Sequence, residues 1–167
     1  GFAVSYRVAF GNALDLTLTM RNTGASAAGF EEALHSYFCV SDVARIAVAG
    51  LEGSAHIDKT ADMARIPPSG EAVTLAKETD SVYLGVAGGL AIRDPGAGRR
   101  IVIAKTGAAS AIVWNPWAEK AAAMSDLGAD NWRGFVCVEC GNVADNRVDL
   151  APGATHEMTT RITVDAG

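Results

Sequence analysis

Several things are missing from this chain, and each absence removes a class of function. No apolar stretch approaches the roughly 20 residues that a membrane-crossing helix needs, and no short apolar segment reads as a secretory leader. A membrane partner is therefore not expected. No dense Lys/Arg stripe is present: 14 basic residues face 19 acidic ones, for a net charge of −5. The Arg99-Arg100 pair alone is too little to drive counterion release from a nucleic acid, so no nucleic-acid partner is expected. Cysteine is scarce and odd in number, with three residues at 39, 137 and 140. That fits reduced thiols in a cytoplasmic protein better than a disulfide framework. Internal repeats and low-complexity linkers are also lacking, so residues 1–167 read as a single domain.

What is present is alternation. At 49% hydrophobic residues the chain can build a sizeable core. Phe2, Val4, Tyr6, Val8 and Phe10 fall on alternate positions, as do Leu14, Leu16, Leu18 and Met20, which predicts strands with one wet face. Gly11-Asn12 between them and Asn22-Thr23-Gly24 after them make this opening a hairpin. Further strand-like runs follow over 34–40, 44–48, 72–75, 81–86, 90–93, 100–104, 111–114, 134–139 and 157–164. Turn residues such as Pro67-Pro68-Ser69-Gly70, Asp94-Pro95-Gly96 and Pro152-Gly153 separate most of them. The pattern predicts an all-β, antiparallel sandwich or barrel. One segment differs: in WNPWAEKAAAMSDLG, Asn115 can cap, Pro116 suits a first helical position and Gly128 can end a turn, which predicts one short helix. The chain opens at Gly1 inside an alternating run, with no turn or cap before it, and so reads as part of a longer sandwich.

The segment RGFVCVECGN holds both a C-x-x-C and an acid. A redox pair favours a helix start, where the dipole depresses a thiol pKa, whereas FVCVEC alternates as a strand and sends Cys137 and Cys140 to opposite faces. A zinc site would want a second ligand pair, and Cys39 and the three histidines do not supply one, so two buried fillers are expected and no metal. Glu139 shares a face with Cys137 and Phe135, and either enters a cleft or ends a strand in water. His35, among Leu34, Tyr37 and Phe38, is a structural residue or a proton-transfer group. Asp80, in KETDSVY, is a turn cap or an acceptor for a ligand hydroxyl. His56, in a hairpin, and His156, beside a charged strand, read as solvated surface. GVAGG, with Gly85, Gly88 and Gly89, reads as a hairpin turn rather than a phosphate loop, because Leu90-Ala91-Ile92 continues as strand.

Taken in order, NTG, ALHSYF with VSDV, AGLEG with IDK, KETDSVYLG, IRD with RRIVIAK, IVWNPWAEKAAAMSDLG and FVCVECGN with LAPG resemble the glucose-6-phosphate 1-epimerase family of the aldose 1-epimerase group. The resemblance implies a galactose-mutarotase-like β-sandwich with the sugar site on a concave sheet. It implies that His35 is the general acid, Glu139 the general base and Asp80 a substrate-hydroxyl ligand. It further implies interconversion of the α and β anomers of a hexose 6-phosphate with no cofactor, the partner being a small sugar phosphate.

This sequence departs from the family in two ways. Relatives are longer at the N-terminus, so the arginines that grip the phosphate have no counterpart here, and Ser81 stands where the family's ETDRVY has arginine. Arg93, Arg99 and Arg100 read as solvated strand residues outside the site. Two other readings remain beside the enzyme: a non-catalytic carbohydrate-binding sandwich, and a zinc or redox role for Cys137 and Cys140. Exposed sandwich edges would favour self-association.

Overall fold

The computed structural model describes residues 1–166. The first strands in chain order are β1 (Phe2–Phe10), β2 (Leu14–Asn22), β3 (Ala28–Phe30), β4 (Glu32–Leu34) and β5 (Tyr37–Cys39). They are followed by β6 (Ala47–Ala49), β7 (His56–Asp58), β8 (Ala64–Ile66), β9 (Thr79–Tyr83) and β10 (Leu90–Asp94). The rest are β11 (Arg99–Thr106), β12 (Ser110–Asn115), β13 (Phe135–Asn142), β14 (Val148–Leu150) and β15 (Thr155–Ala166), with one α-helix, α1 (Trp117–Ala123). All pairings between them are antiparallel.

Two sheets carry the architecture. One runs β1-β2-β15-β11-β10-β6; the other runs β4-β13-β12-β9-β7-β8, with β5 also on β13. Between them lies the core, where Val48, Leu90, Ile92, Ile101 and Ile103 of the first sheet meet Tyr83, Ala111, Val113, Val136, Val138 and Cys140 of the second. The alternation read from the sequence is what makes this possible. In β10 and β11 the buried residues Ile92, Ile101 and Ile103 alternate with outward Arg93, Arg100 and Val102, so one face of each strand is apolar. The fold is an antiparallel β-sandwich with one short helix. No helix of the described residues is long and apolar enough to cross a membrane.

The β1–β2 hairpin forms as expected, pairing Phe10 with Leu14 around the turn. The side chain of Asn22 then closes the second strand: it is fully buried, donates to the Ser26 and Leu150 carbonyls and accepts from the Gly24 amide. Other expectations are corrected. The run 72–75 gives only an isolated bridge between Val73 and Val48. Residues 85–89 are not a hairpin turn, because β9 and β10 belong to different sheets; the glycines carry the chain across the sandwich, with Gly85 at φ +63°. The helix ends at Ala123, five residues before Gly128, after Asn115 accepts the Trp117 amide at 2.9 Å. The short strands β3, β4, β8 and β14 were not legible, since three residues are too few to show a period.

Candidate active site

The predicted strand over 34–40 is two short strands, β4 and β5, on one side of β13, and their registers agree. Leu34 pairs with Cys140 and Tyr37 with Cys137, so His35 falls directly opposite Glu139. The ladder opens at that position, which leaves the imidazole half exposed. Close approach of β4 depends on Gly141, where an added Cβ would stand 2.5 Å from the Glu32 carbonyl oxygen.

Continued across the sheet, the registers set two adjacent rows of side chains on the outer face. The first row reads His35, Glu139, Ile112, Val82 and Ile57. The second reads Tyr37, Cys137, Trp114 and Asp80, and Lys59 follows Asp58 of β7 to meet Asp80 at 3.0 Å. All of these but Tyr37, Cys137 and Asp58 floor a hollow of about 500 Å³, whose walls include Glu31, Ala33, Met63, Val143 and Ala144. His35, Asp80 and Glu139, nominated separately in sequence, all line it. Asp80 lies within β9, so it is not a turn cap.

Glu139 sits at the floor with a side chain 8% exposed, its Oε1 3.4 Å from His35 Nδ1. Burial raises its pKa above the usual carboxylate range; His35 and Lys59 oppose that rise, and Asp80 adds to it. Tyr37 stacks on the imidazole, with centroids 4.9 Å and planes 9° apart, and Trp114 meets the same ring edge-on at 5.9 Å. These aromatics, in turn, contact Phe135. The imidazole is therefore held by aromatic packing beside its contact with Glu139.

Lys59, Tyr37 and Trp114 were missed as site residues. The IDK and VWNPW segments carried a signal for two of them, but only the register puts them beside Asp80 and His35. Cys137 shares the face of Glu139, beside Tyr37, while Cys140 faces the opposite sheet near Lys105 and Thr160. The two thiols thus cannot share an ion or join to each other. Burial raises both thiol pKa values, which keeps them protonated.

Two histidines expected in solvent are not there. His156 Nε2 pairs with buried Glu32 at 2.8 Å, and Asn142 donates to the same carboxylate oxygen at 2.8 Å, which ties β4 to β13 and β15. His56 is half-buried against Tyr83, with ring centroids 4.8 Å apart, and burial lowers its pKa.

The comparisons with known proteins agree with this architecture. The aldose 1-epimerase family model matches residues 1–163. A protein of Cenchrus ciliaris, provisionally named glucose-6-phosphate 1-epimerase, is 36% identical over 99% of this chain and 50% of its own length. An Escherichia coli protein with the same provisional name is 32% identical over 69% of this chain and 39% of its own. The crystal structure of a provisionally assigned mutarotase from Salmonella typhimurium superposes with a TM-score of 0.89, at 27% identity, over 99% of this chain and 54% of that one. The chain thus spans about half the length of the curated relatives it matches. With a family match over nearly all of its residues and a mutarotase-like sandwich beneath it, the chain belongs to the aldose 1-epimerase family.

Proposed function

We propose that the protein interconverts the α and β anomers of a hexose 6-phosphate by ring opening and closure. The observation that carries this reading is the cross-strand pair itself. An imidazole and a carboxylate face each other at 3.4 Å on the floor of a hollow large enough for a monosaccharide.

Anomer exchange moves two protons and no electrons. Glu139 takes the proton of the C1 hydroxyl as the electron pair of that O–H bond forms the aldehyde carbonyl, the C1–O5 bond breaks, and His35 delivers a proton to the departing ring oxygen. Rotation about C1–C2 presents the other face of the aldehyde. The reverse transfers then close the ring, returning a proton to the C1 oxygen from Glu139 and one from O5 to His35. Burial suits Glu139 to this task, because a carboxyl group whose pKa is drawn toward neutrality is a stronger base than an exposed one. Asp80 can accept from a sugar hydroxyl while Lys59 holds its position. Trp114, Ile112 and Val82 supply an apolar floor for the ring's C–H face.

The ring is better matched here than the phosphate. The hollow presents three carboxylates, Glu31, Asp80 and Glu139, against one lysine, so the 6-phosphate rests on the provisional names of the relatives. Exchange of glucose 6-phosphate anomers, followed by proton NMR with free glucose beside it, tests the reading. Acceleration by the wild type that is lost in Glu139→Gln supports it. Saturable binding without acceleration would instead favour a carbohydrate-binding sandwich.

A further inference from the structure

The six-stranded sheet carries a second hollow, of about 630 Å³, on the side of the sandwich away from His35 and Glu139. Sheet register builds its wall. Ala47, Arg93, Arg100 and Asp165 succeed one another across β6, β10, β11 and β15, so Arg93 and Arg100 are direct cross-strand neighbours. Ile92 and Ile101, their neighbours along the chain, are buried in the core, which turns both guanidinium groups outward.

Like charges placed directly opposite each other destabilise a sheet unless something neutralises them. Among the described residues only one of these two has a carboxylate: Arg100 Nη2 lies 2.9 Å from Asp165. Arg99 is also engaged, bonded to Asp94 and donating to the Cys39 carbonyl at 2.6 Å. Among the described residues no carboxylate pairs with Arg93, or with Arg45, which lines the same hollow. Two unmatched guanidinium groups thus converge on one concavity in a chain whose net charge is −5.

We propose that this hollow binds a phosphate-bearing small molecule, with Arg45 and Arg93 grasping the phosphate oxygens and Arg100 beside them. The planar donor fork of arginine matches phosphate oxygens two at a time, which a lysine cannot do. The cavity is in the size range of small-molecule sites, so it has room for the body of the ligand as well as its phosphate. The site is separate from the hollow that holds His35, and a ligand there would not compete with a sugar.

Equilibrium dialysis with radiolabelled inorganic phosphate at low ionic strength tests this, since its readout does not depend on the oligomeric state. The expected result is one saturable site in the wild type that weakens at least tenfold in Arg93→Ala and in Arg45→Ala. Lys59→Ala and Glu139→Gln, altered in the other hollow, should bind as the wild type does. Arg93→Lys should fall with Arg93→Ala; wild-type affinity in that variant would reduce the site to unspecific surface charge and overturn the proposal. So would the absence of saturation, or loss in Lys59→Ala with Arg93→Ala unchanged.

Discussion

The imidazole of His35 and the ring of Tyr37 are stacked, with centroids 4.9 Å apart and planes 9° from parallel. They sit on alternate residues of one interrupted strand, so both project from the same face. His35 stands between β4 and β5, and its imidazole stays accessible while Tyr37 and Trp114 hold its plane. An imidazole is thereby fixed toward Glu139 yet open to a ligand.

That stack predicts a graded response. Tyr37→Phe keeps the ring and should leave anomer exchange near the wild-type rate. Tyr37→Ala removes a contact of about 0.5–1.5 kcal/mol and should slow exchange by up to about tenfold, read as kcat by proton NMR. Equal rates in Phe and Ala variants would deny the stack any positioning role.

Removing the proposed base should cost far more. Glu139→Gln keeps the shape and loses the proton acceptor, and a placed acid or base contributes roughly 10²–10⁴ in rate. His35→Asn should fall in the same range, with substrate binding retained in both. A Glu139→Gln variant that exchanges anomers as fast as the wild type would refute the base assignment.

The same substitution should stabilise the protein, in a pH-dependent way. The folded-state pKa of Glu139 is raised above its unfolded value, chiefly by burial. Such a group's contribution is fully present below the unfolded pKa, about 4.3 for glutamate, and is lost as pH rises through the folded one. Near pH 8, well above the unfolded pKa, the wild type therefore bears a cost of carboxyl burial that glutamine lacks. Thermal melts should place Glu139→Gln above the wild type at pH 8, with the gap closing toward pH 4. A gap that widens on acidification would contradict the burial argument. The proposed base role predicts, in parallel, an acid limb of the rate profile shifted upward from that of an exposed carboxylate.

Thiol reactivity separates the cysteines. Cys39 is exposed, whereas Cys137 and Cys140 are buried with raised pKa values. A thiol reagent should label one group per chain in native buffer and the other two only on denaturation. Rapid native labelling at 137 or 140, located by mass spectrometry, would revive the redox reading.

The opening strand predicts an association. Val4, Tyr6, Val8 and Phe10 are 59, 52, 40 and 85% exposed, in line on one face of an edge strand. An apolar edge with unpaired backbone groups is a template for a second copy. Sedimentation velocity should show self-association that Tyr6→Ser with Phe10→Ser reduces. A monodisperse monomer at tens of micromolar would count against it.

Much of the fold was readable along the chain, though the site was only partly so. Alternation at 2–10 and 14–20, and the NTG and LAPG turns, locate strands and their ends, because side-chain direction in a strand has a local period of two. The C-x-x-C was readable for the same reason: residues three apart in a strand cannot face the same way. His156 was misread because its partner, Glu32, is remote in sequence and their contact leaves no local trace. The glycines at 85–89 were misread because nothing local tells a turn within one sheet from a crossing between two.

By itself, the sequence determined which residues alternate, where the turns fall, and which family the motifs resemble. The tertiary structure decided that His35 stands opposite Glu139, that Lys59 meets Asp80, and that Arg93 stands against Arg100. Those facts are registers between strands distant along the chain. A register is chosen by the burial of entire faces at once, since a slip of one residue would send every core side chain into water.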